Sequence, residues 1–118
     1  MEAATHEVLS EGGLEIRPDE FLAIARGRPI ALTVRELGLL CALARRSGRI
    51  VSREELYAVV WDRPFRKEER SVDVYVRKLR AKLEAALPGE AFIHTHFGFG
   101  YRFRQEPSQL FHKRATRR

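Results

Sequence analysis

Apolar and polar residues alternate over the first third of the chain in the manner of short β-strands. Charged neighbours separate Leu14 from Ile16, and further apolar runs follow at 21–25 and 30–32. Proline and glycine lie between the runs. Alternation with a period of two, interrupted by these residues, is typical of strands joined by tight turns. Residues 8–32 therefore predict a small antiparallel sheet.

A helical period begins after Leu32. Thr33 can accept a hydrogen bond from the backbone of Glu36, whose side chain can return one, and this capping box marks the start of a helix. Gly48 marks its end. Apolar residues at helical spacing predict a buried stripe, formed by Leu37, Leu40, Leu43 and Ala44.

A second, shorter helix starts with the same device. Ser52 is the predicted cap, Glu55 its capping-box partner, and the helix ends near Trp61. Trp61 either anchors the core at the end of this helix or is exposed to a partner. We favour the anchor, because the large indole ring is highly buried on average.

A third helix is predicted from residue 68 to residue 87, and its sides differ in character. Apolar residues at helical spacing form the side predicted to be buried, namely Val72, Val76, Leu79 and Leu83. The opposite side combines cations with small apolar residues: Arg70, Val74, Arg77, Lys78 and Ala81. We assign Asp73, which lies among these cations, as an intrahelical partner of Arg77.

A β-hairpin follows this helix. Two short strands at 92–95 and 101–103 flank a turn at 96–100 that contains two glycines. With the preceding helices, the hairpin predicts an α+β fold of the winged helix-turn-helix kind, with a small N-terminal antiparallel sheet and the hairpin as its wing. We expect residues 8–104 to form the domain, with a flexible N-terminus at 1–7 and a flexible basic tail at 105–118.

Composition narrows the function. The 118 residues carry a net charge of +6, which favours a polyanionic partner. The single cysteine, Cys41, lies in an apolar run and is predicted to be a core residue in a protein of the reducing cytoplasm. No segment has the length of a membrane span and no signal peptide begins the chain, so we expect no membrane partner.

The cationic side of the third helix has the chemistry that a DNA major groove requires. Arginine and lysine contact guanine edges, and small apolar side chains contact the thymine methyl group. We assign Arg70, Val74, Arg77 and Lys78 to base edges. The phosphates are assigned to neighbouring residues, namely Arg53, Ser71, Tyr75, Arg80 and Lys82. A solvated basic face without a partner is the competing interpretation.

Five motifs in order give the chain a family resemblance. They are LTVRELGLL at 32–40, VSREEL at 51–56, VW at 60–61, RSVDVYVRKLRAKL at 70–83 and GFGYRF at 98–103. With these motifs the chain resembles the C-terminal effector domain of OmpR/PhoB-type response regulators, the DNA-binding transcription factors of two-component systems. The resemblance covers residues 14–103, which is nearly all of the predicted domain.

The resemblance implies a four-stranded N-terminal sheet and a recognition helix that reads double-stranded DNA. It places Thr95, His96 and Phe97 in the wing. It also implies head-to-tail dimers on direct-repeat half-sites. A loop that can touch RNA polymerase corresponds to Asp62, Arg63, Pro64, Phe65, Arg66 and Lys67. No cofactor and no small-molecule ligand are implied.

The chain departs from this family at the wing and at its N-terminal side. Where the wing tip usually has an aliphatic residue followed by a cation, this chain has His96 followed by Phe97. Phe97 packs on sugar, folds back onto the sheet, wedges at a base step, or packs against Tyr101 or Phe99. The receiver domain is missing, so the chain is either an effector part of a longer regulator or a stand-alone relative.

Other functions have weaker support in the sequence. His94 and His96 share one face of a strand, but no cysteine or nearby carboxylate completes a metal site. A nuclease would need a carboxylate cluster for its metal, and none stands out, so we expect no enzyme. A protein-interaction module that uses the 62–67 loop and the aromatic hairpin is the second hypothesis. The basic tail is either a phosphate-binding arm or a solubilising end.

Overall fold

The N-terminal sheet has four antiparallel strands in the order β1-β2-β3-β4. The computed structural model describes residues 6–108, so the tail beyond residue 108 lies outside the described residues. The strands are β1 (Leu9–Glu11), β2 (Leu14–Arg17), β3 (Leu22–Ala25) and β4 (Arg28–Pro29). One face of β2 and β3 is buried in the core, as the alternation of residues 14–17 predicts.

The last strand of this sheet lies earlier than predicted. The apolar run 30–32 is not a strand, and β4 is Arg28–Pro29. Arg26 and Gly27 both have positive φ angles, 49° and 85°, and Ala25 pairs with Arg28 across them. After a two-residue turn of this kind, strand pairing resumes at the next residue. Strand β4 therefore begins at Arg28 and ends at Pro29, before the apolar run begins.

Three helices follow, α1 (Val34–Ala44), α2 (Arg53–Trp61) and α3 (Ser71–Ala86). The capping box of α1 is confirmed: Thr33 Oγ1 accepts from the Glu36 amide at 3.1 Å, and Glu36 Oε1 accepts from the Thr33 amide at 2.9 Å. Only half of the predicted box forms at α2. Ser52 Oγ accepts from the Glu55 amide, but the Glu55 carboxylate pairs instead with Arg46 and Arg49.

Helix α3 is shorter at both ends than the predicted 68–87. Arg70 is its N-cap, with φ −114° and ψ 3°, because a turn from Arg66 to Glu69 precedes it. Leu87 leaves the helical region ahead of Pro88, since the residue before a proline is disfavoured in the α conformation. The apolar stripe of the helix is buried as predicted, at Val72, Val76, Leu79 and Leu83.

The second sheet contains the hairpin and one further strand. Strands β5 (Ile50–Val51), β6 (Glu90–His96) and β7 (Gly100–Pro107) pair antiparallel in the order β5-β7-β6. The predicted domain end at residue 104 is therefore too early, because Glu90 and Ala91 extend β6 and pair with Pro107 and Glu106. At the other end of the domain, Glu7 is paired with Arg45 at 2.7 Å.

The core lies where the three helices meet both sheets. Leu39, Leu40 and Leu43 of α1 are completely buried, and Cys41 is 5% exposed, which confirms it as a core residue. Phe92 and Phe103 stack across the hairpin with ring centroids 5.9 Å apart. Within residues 6–108, no helix is both long enough and apolar enough to cross a membrane.

Candidate nucleic-acid interface

The face of α3 opposite the buried stripe is cationic and open to solvent. Arg70, Arg77, Lys78 and Ala81 are exposed, and Val74 is half-buried between them. Within residues 6–108, the side chains of Arg70 and Arg77 form no hydrogen bond or ion pair. Lys78 Nζ lies 4.9 Å from the centroid of the Tyr75 ring. The predicted base-edge residues thus form one surface with two uncommitted guanidinium groups.

Asp73 links three elements rather than one turn of α3. Its Oδ1 accepts a hydrogen bond from the Tyr101 hydroxyl of β7, and its Oδ2 lies 3.2 Å from Nη1 of Arg53 on α2. The assignment of Asp73 to Arg77 is therefore wrong, because these two donors from other elements reach the carboxylate. Burial, together with the hydrogen bond to Asp73, raises the pKa of Tyr101 to about 12.

Arg80 fastens the hairpin to α3. Its Nε and Nη2 donate to the Ile93 carbonyl at 3.0 and 2.8 Å, and Nη2 also donates to Thr95 Oγ1 at 2.7 Å. The guanidinium lies 5.7 Å from the ring centroid of Tyr101, and burial lowers the pKa of Arg80. Arg80 and Thr95 were predicted to contact DNA; the structure shows them joined to each other.

Lys82 points toward α1. Its Nζ lies 2.7 Å from Oε1 of Glu36, a residue only 2% exposed. Burial alone would raise the pKa of this carboxyl, but the hydrogen bonds from Lys82 and Thr33 outweigh it and hold the pKa below the ordinary value. Sequence reasoning missed this pair because 46 residues separate its members.

Ser71 and Tyr75 are also engaged within the protein. The Ser71 hydroxyl donates to the Glu69 carboxylate, which lowers the pKa of Glu69. The Tyr75 ring meets Trp61 edge to face at 5.5 Å, and Trp61 stacks on Tyr57 at 5.1 Å. Trp61 is half-buried against the core and closes α2, in agreement with its favoured interpretation.

The tip of the hairpin, residues 95–100, bounds a cleft beside α3. The cleft has a volume of about 540 Å³ and is lined by the tip, by Arg53 and Glu54 of α2, and by Asp73 and Arg80 of α3. Phe97 is 88% exposed and Phe99 is 72% exposed. Folding of Phe97 back onto Tyr101 or Phe99 is therefore wrong, since a ring packed in that way would be covered.

The two wing histidines do not converge on a common point. Nε2 of His94 lies 2.7 Å from the Arg104 carbonyl, and Nε2 of His96 is buried without a hydrogen-bond partner in the described part of the chain. Residues 6–108 contain no group of three or more histidine, cysteine or acidic side chains arranged to hold a metal ion.

The loop between α2 and α3 is mostly exposed. Asp62 adopts the left-handed conformation with φ 56° and ends α2. Phe65 meets Tyr57 edge to face at 5.6 Å, and Arg63 lies over the same ring at 5.8 Å. The remaining residues of the segment, Pro64, Arg66 and Lys67, are exposed. One aromatic contact thus holds a charged loop at the surface.

Comparison with known proteins identifies a family. Residues 27–103 match the family described as "Transcriptional regulatory protein, C terminal". The chain is 37% identical over 102 residues to the transcriptional regulatory protein CseB of Streptomyces coelicolor, a match that covers 86% of this chain and 42% of that protein. The alkaline phosphatase synthesis transcriptional regulatory protein PhoP of Bacillus subtilis is 36% identical over 96 residues, with 81% and 40% covered. The chain therefore spans about two fifths of the length of these relatives.

Solved structures agree with the sequence match. The DNA-binding domain of CpxR from E. coli superimposes with a TM-score of 0.76 at 30% identity, covering 83% of this chain and 96% of that one. The Klebsiella pneumoniae RstA DNA-binding domain in complex with the RstA box gives 0.76 at 30% identity, with 84% and 98% covered. DrrB, a Thermotoga maritima OmpR/PhoB homolog, gives 0.70 at 30% identity, with 82% and 44% covered. The chain belongs to the family of C-terminal DNA-binding domains of OmpR/PhoB-type transcriptional regulatory proteins.

Proposed function

We propose that this domain binds double-stranded DNA sequence-specifically and thereby regulates transcription, with α3 in the major groove and the hairpin beside it. The observation that carries the proposal is the open cationic face of α3, on which Arg70 and Arg77 have no partner within residues 6–108. An α-helix fits the major groove, and free guanidinium groups form bidentate contacts with guanine. The similar RstA domain is described in complex with the RstA box.

The side chains of the interface divide the work of recognition. Arg70, Arg77 and Lys78 read base edges, and Val74 contacts a thymine methyl group. Arg53 remains exposed despite its ion pair, and together with the N-terminus of α2 it binds backbone phosphate. Contacts with phosphate fix the register of the protein on the duplex but carry no sequence information.

Arg80 and Lys82 have a different part in this proposal from the one expected from the sequence. Both side chains donate hydrogen bonds within the protein. Arg80 donates to the hairpin, and Lys82 donates to Glu36. They support the interface by fixing the hairpin and α1 against α3. Ser71 and Tyr75 lie at the edge of the recognition face. Ser71 contacts phosphate only when its hydroxyl leaves Glu69, and Tyr75 contacts phosphate while its ring stays packed against Trp61.

Assembly and polymerase contact complete the proposal. The domain binds direct-repeat half-sites as a head-to-tail pair, and the loop at 62–67 contacts RNA polymerase. The exposure and charge of Asp62, Arg63, Arg66 and Lys67 support the second point, because a surface loop of this kind is free to meet a partner.

Selection of bound sequences from random DNA, followed by footprinting, tests the proposed function. We expect enrichment of one site, with guanine N7 protected in the major groove and half-sites repeated in the same direction. Arg28→Ala is a matched control for interface arginines, because Arg28 is an exposed arginine of β4 in the other sheet. Failure to enrich any sequence, with weak binding that vanishes at moderate salt, would favour the protein-interaction module instead.

A further inference from the structure

The tip of the hairpin has two exposed phenylalanines and lies beside α3, whose outer face is cationic. Residues 95–100 contain no lysine or arginine, and their two phenylalanines are among the most exposed large apolar side chains within residues 6–108. Phe97 is 88% exposed and packs on no other aromatic ring within residues 6–108. A ring this exposed contributes little to folding and is available for contact with a partner.

The position of the tip relative to α3 is fixed from both strands. On β6, Arg80 holds the Ile93 carbonyl and the Thr95 hydroxyl, the last points before the tip. On β7, Tyr101 binds Asp73 of α3. Gly100 closes the turn against β5, where an added Cβ would lie 2.0 Å from the Val51 carbonyl oxygen. Phe97 is therefore presented at a set place beside the recognition helix.

The chemistry around the tip selects its partner. Arg53 and Arg80 line the same cleft as Phe97, but Glu54 and Asp73 balance their charge. Within residues 6–108, unpaired positive charge lies on the neighbouring face of α3, at Arg70 and Arg77. Phosphate and deoxyribose alternate along a DNA strand and offer an anion beside an apolar surface. Proteins that enter the minor groove insert apolar side chains between base steps and bend the duplex there. A DNA duplex therefore offers a partner both to the apolar tip and to the cationic face of α3.

We propose that Phe97 is an apolar wedge, which enters the minor groove next to the site of α3, packs on deoxyribose and partly unstacks one base step. This inference rests on the proposed function. Two properties follow from an uncharged wedge. Its contribution to affinity is independent of salt, because no counterion is released. It also favours easily unstacked steps such as TA and CA/TG at a position that α3 never reads.

Salt titration of binding to a single selected half-site tests the wedge. Phe97→Ala should weaken binding about tenfold at every salt concentration, with an unchanged slope of log affinity against log salt. Phe97→Leu should lose less, since it retains an apolar side chain. Phe97→Arg should make the slope of log affinity against log salt steeper by about 1, the change expected for one added phosphate contact. Phe21→Ala is the control, because Phe21 is 72% exposed but lies outside the cleft.

A 2-aminopurine base placed at successive steps reports unstacking directly. We expect a rise in its fluorescence at one step outside the α3 contacts with the wild-type domain and no rise with Phe97→Ala.

Normal binding by Phe97→Ala, or a loss seen only when two half-sites are present, would overturn the wedge; the second result would make Phe97 a contact between neighbouring copies. Loss with Arg77→Ala but not with Phe97→Ala would leave the proposed function standing, whereas no specific binding by wild type would remove both.

Discussion

Glu36 uses one carboxylate to stabilise two separate parts of the domain. It caps the Thr33 amide at the start of α1 and accepts the ammonium of Lys82 from α3. The side chain is almost fully buried. A buried carboxylate is tolerated only when hydrogen bonds and a counter-charge replace water, so the stability of the domain depends on this pair.

Replacing Lys82 with methionine should destabilise the domain by about 2 kcal/mol, because it leaves the Glu36 carboxylate buried with only the Thr33 bonds. The partial exposure of Lys82 keeps the loss below that of a fully buried pair. Urea denaturation at neutral pH measures it. Arg77→Met removes a cation from an exposed, unpaired position of the same helix and should change stability by less than about 0.5 kcal/mol.

The same pair predicts a pH dependence. The pKa of Glu36 is lower in the folded state than its ordinary value of 4.5. Its contribution to stability is therefore complete above that value and is lost as the pH falls through the folded-state pKa. The Lys82→Met variant already lacks the ion pair and therefore loses less stability as Glu36 is protonated. The difference in unfolding free energy between wild type and variant should narrow on acidification. A gap that stays constant from neutral to acidic pH would mean that Glu36 and Lys82 are not coupled.

At the scale of elements, the contact between α3 and the hairpin decides the shape of the interface. Arg80 bonds to β6, and Asp73 bonds to β7, so both strands of the wing are attached to the recognition helix. Through Arg53 the same carboxylate also reaches α2. These contacts set the position of the wing before any DNA is bound.

Arg80→Lys tests the attachment at β6. Lysine keeps the charge but lacks the planar group that donates from two nitrogens to the Ile93 carbonyl. We expect faster amide hydrogen exchange in the tip half of β6 and a DNA affinity lower by a few fold. Arg77→Lys is the matched control for exchange. Unchanged exchange in Arg80→Lys would show that β6 is held by its pairing with β7 alone.

Tyr101→Phe tests the attachment at β7. The pKa of Tyr101 is about 12, against an ordinary value of 10.0. The stability it provides is thus complete below pH 10.0 and is lost as the pH rises toward 12. In a spectrophotometric titration, the variant should lack the tyrosine that ionises at about pH 12 in the wild type. It should also be less stable by about 1 kcal/mol at neutral pH.

Sequence predicted those elements whose signals are local. The capping box of Thr33 and Glu36 and the stripe from Val72 to Leu83 depend on spacings of three and four residues, and both are present. The partners of Asp73, Arg80 and Lys82 lie on other elements, and a pattern within one helix carries no information about them. The strand at 28–29 was misplaced for a related reason: positive φ angles at two turn residues, not apolar content, set where it starts.

At the scale of the whole molecule, the net positive charge and the base-edge contacts have different roles in DNA binding. The net charge of +6 attracts any nucleic acid, whatever its sequence. Specificity must come from the few side chains that reach base edges. Under the proposed function we expect Arg77 to be one of these, because it is exposed in the middle of the α3 face and has no partner in the described part of the chain.

The most direct test compares wild type and Arg77→Ala on the selected site and on every single-base-pair variant of it. Wild type should lose about 1–3 kcal/mol of binding free energy when the guanine read by Arg77 is replaced. The variant should bind the original site more weakly by a similar amount and discriminate no longer at that base pair, while all other positions keep their preference. Equal loss of affinity on specific and random DNA would contradict the account, because Arg77 would then act only as a charge.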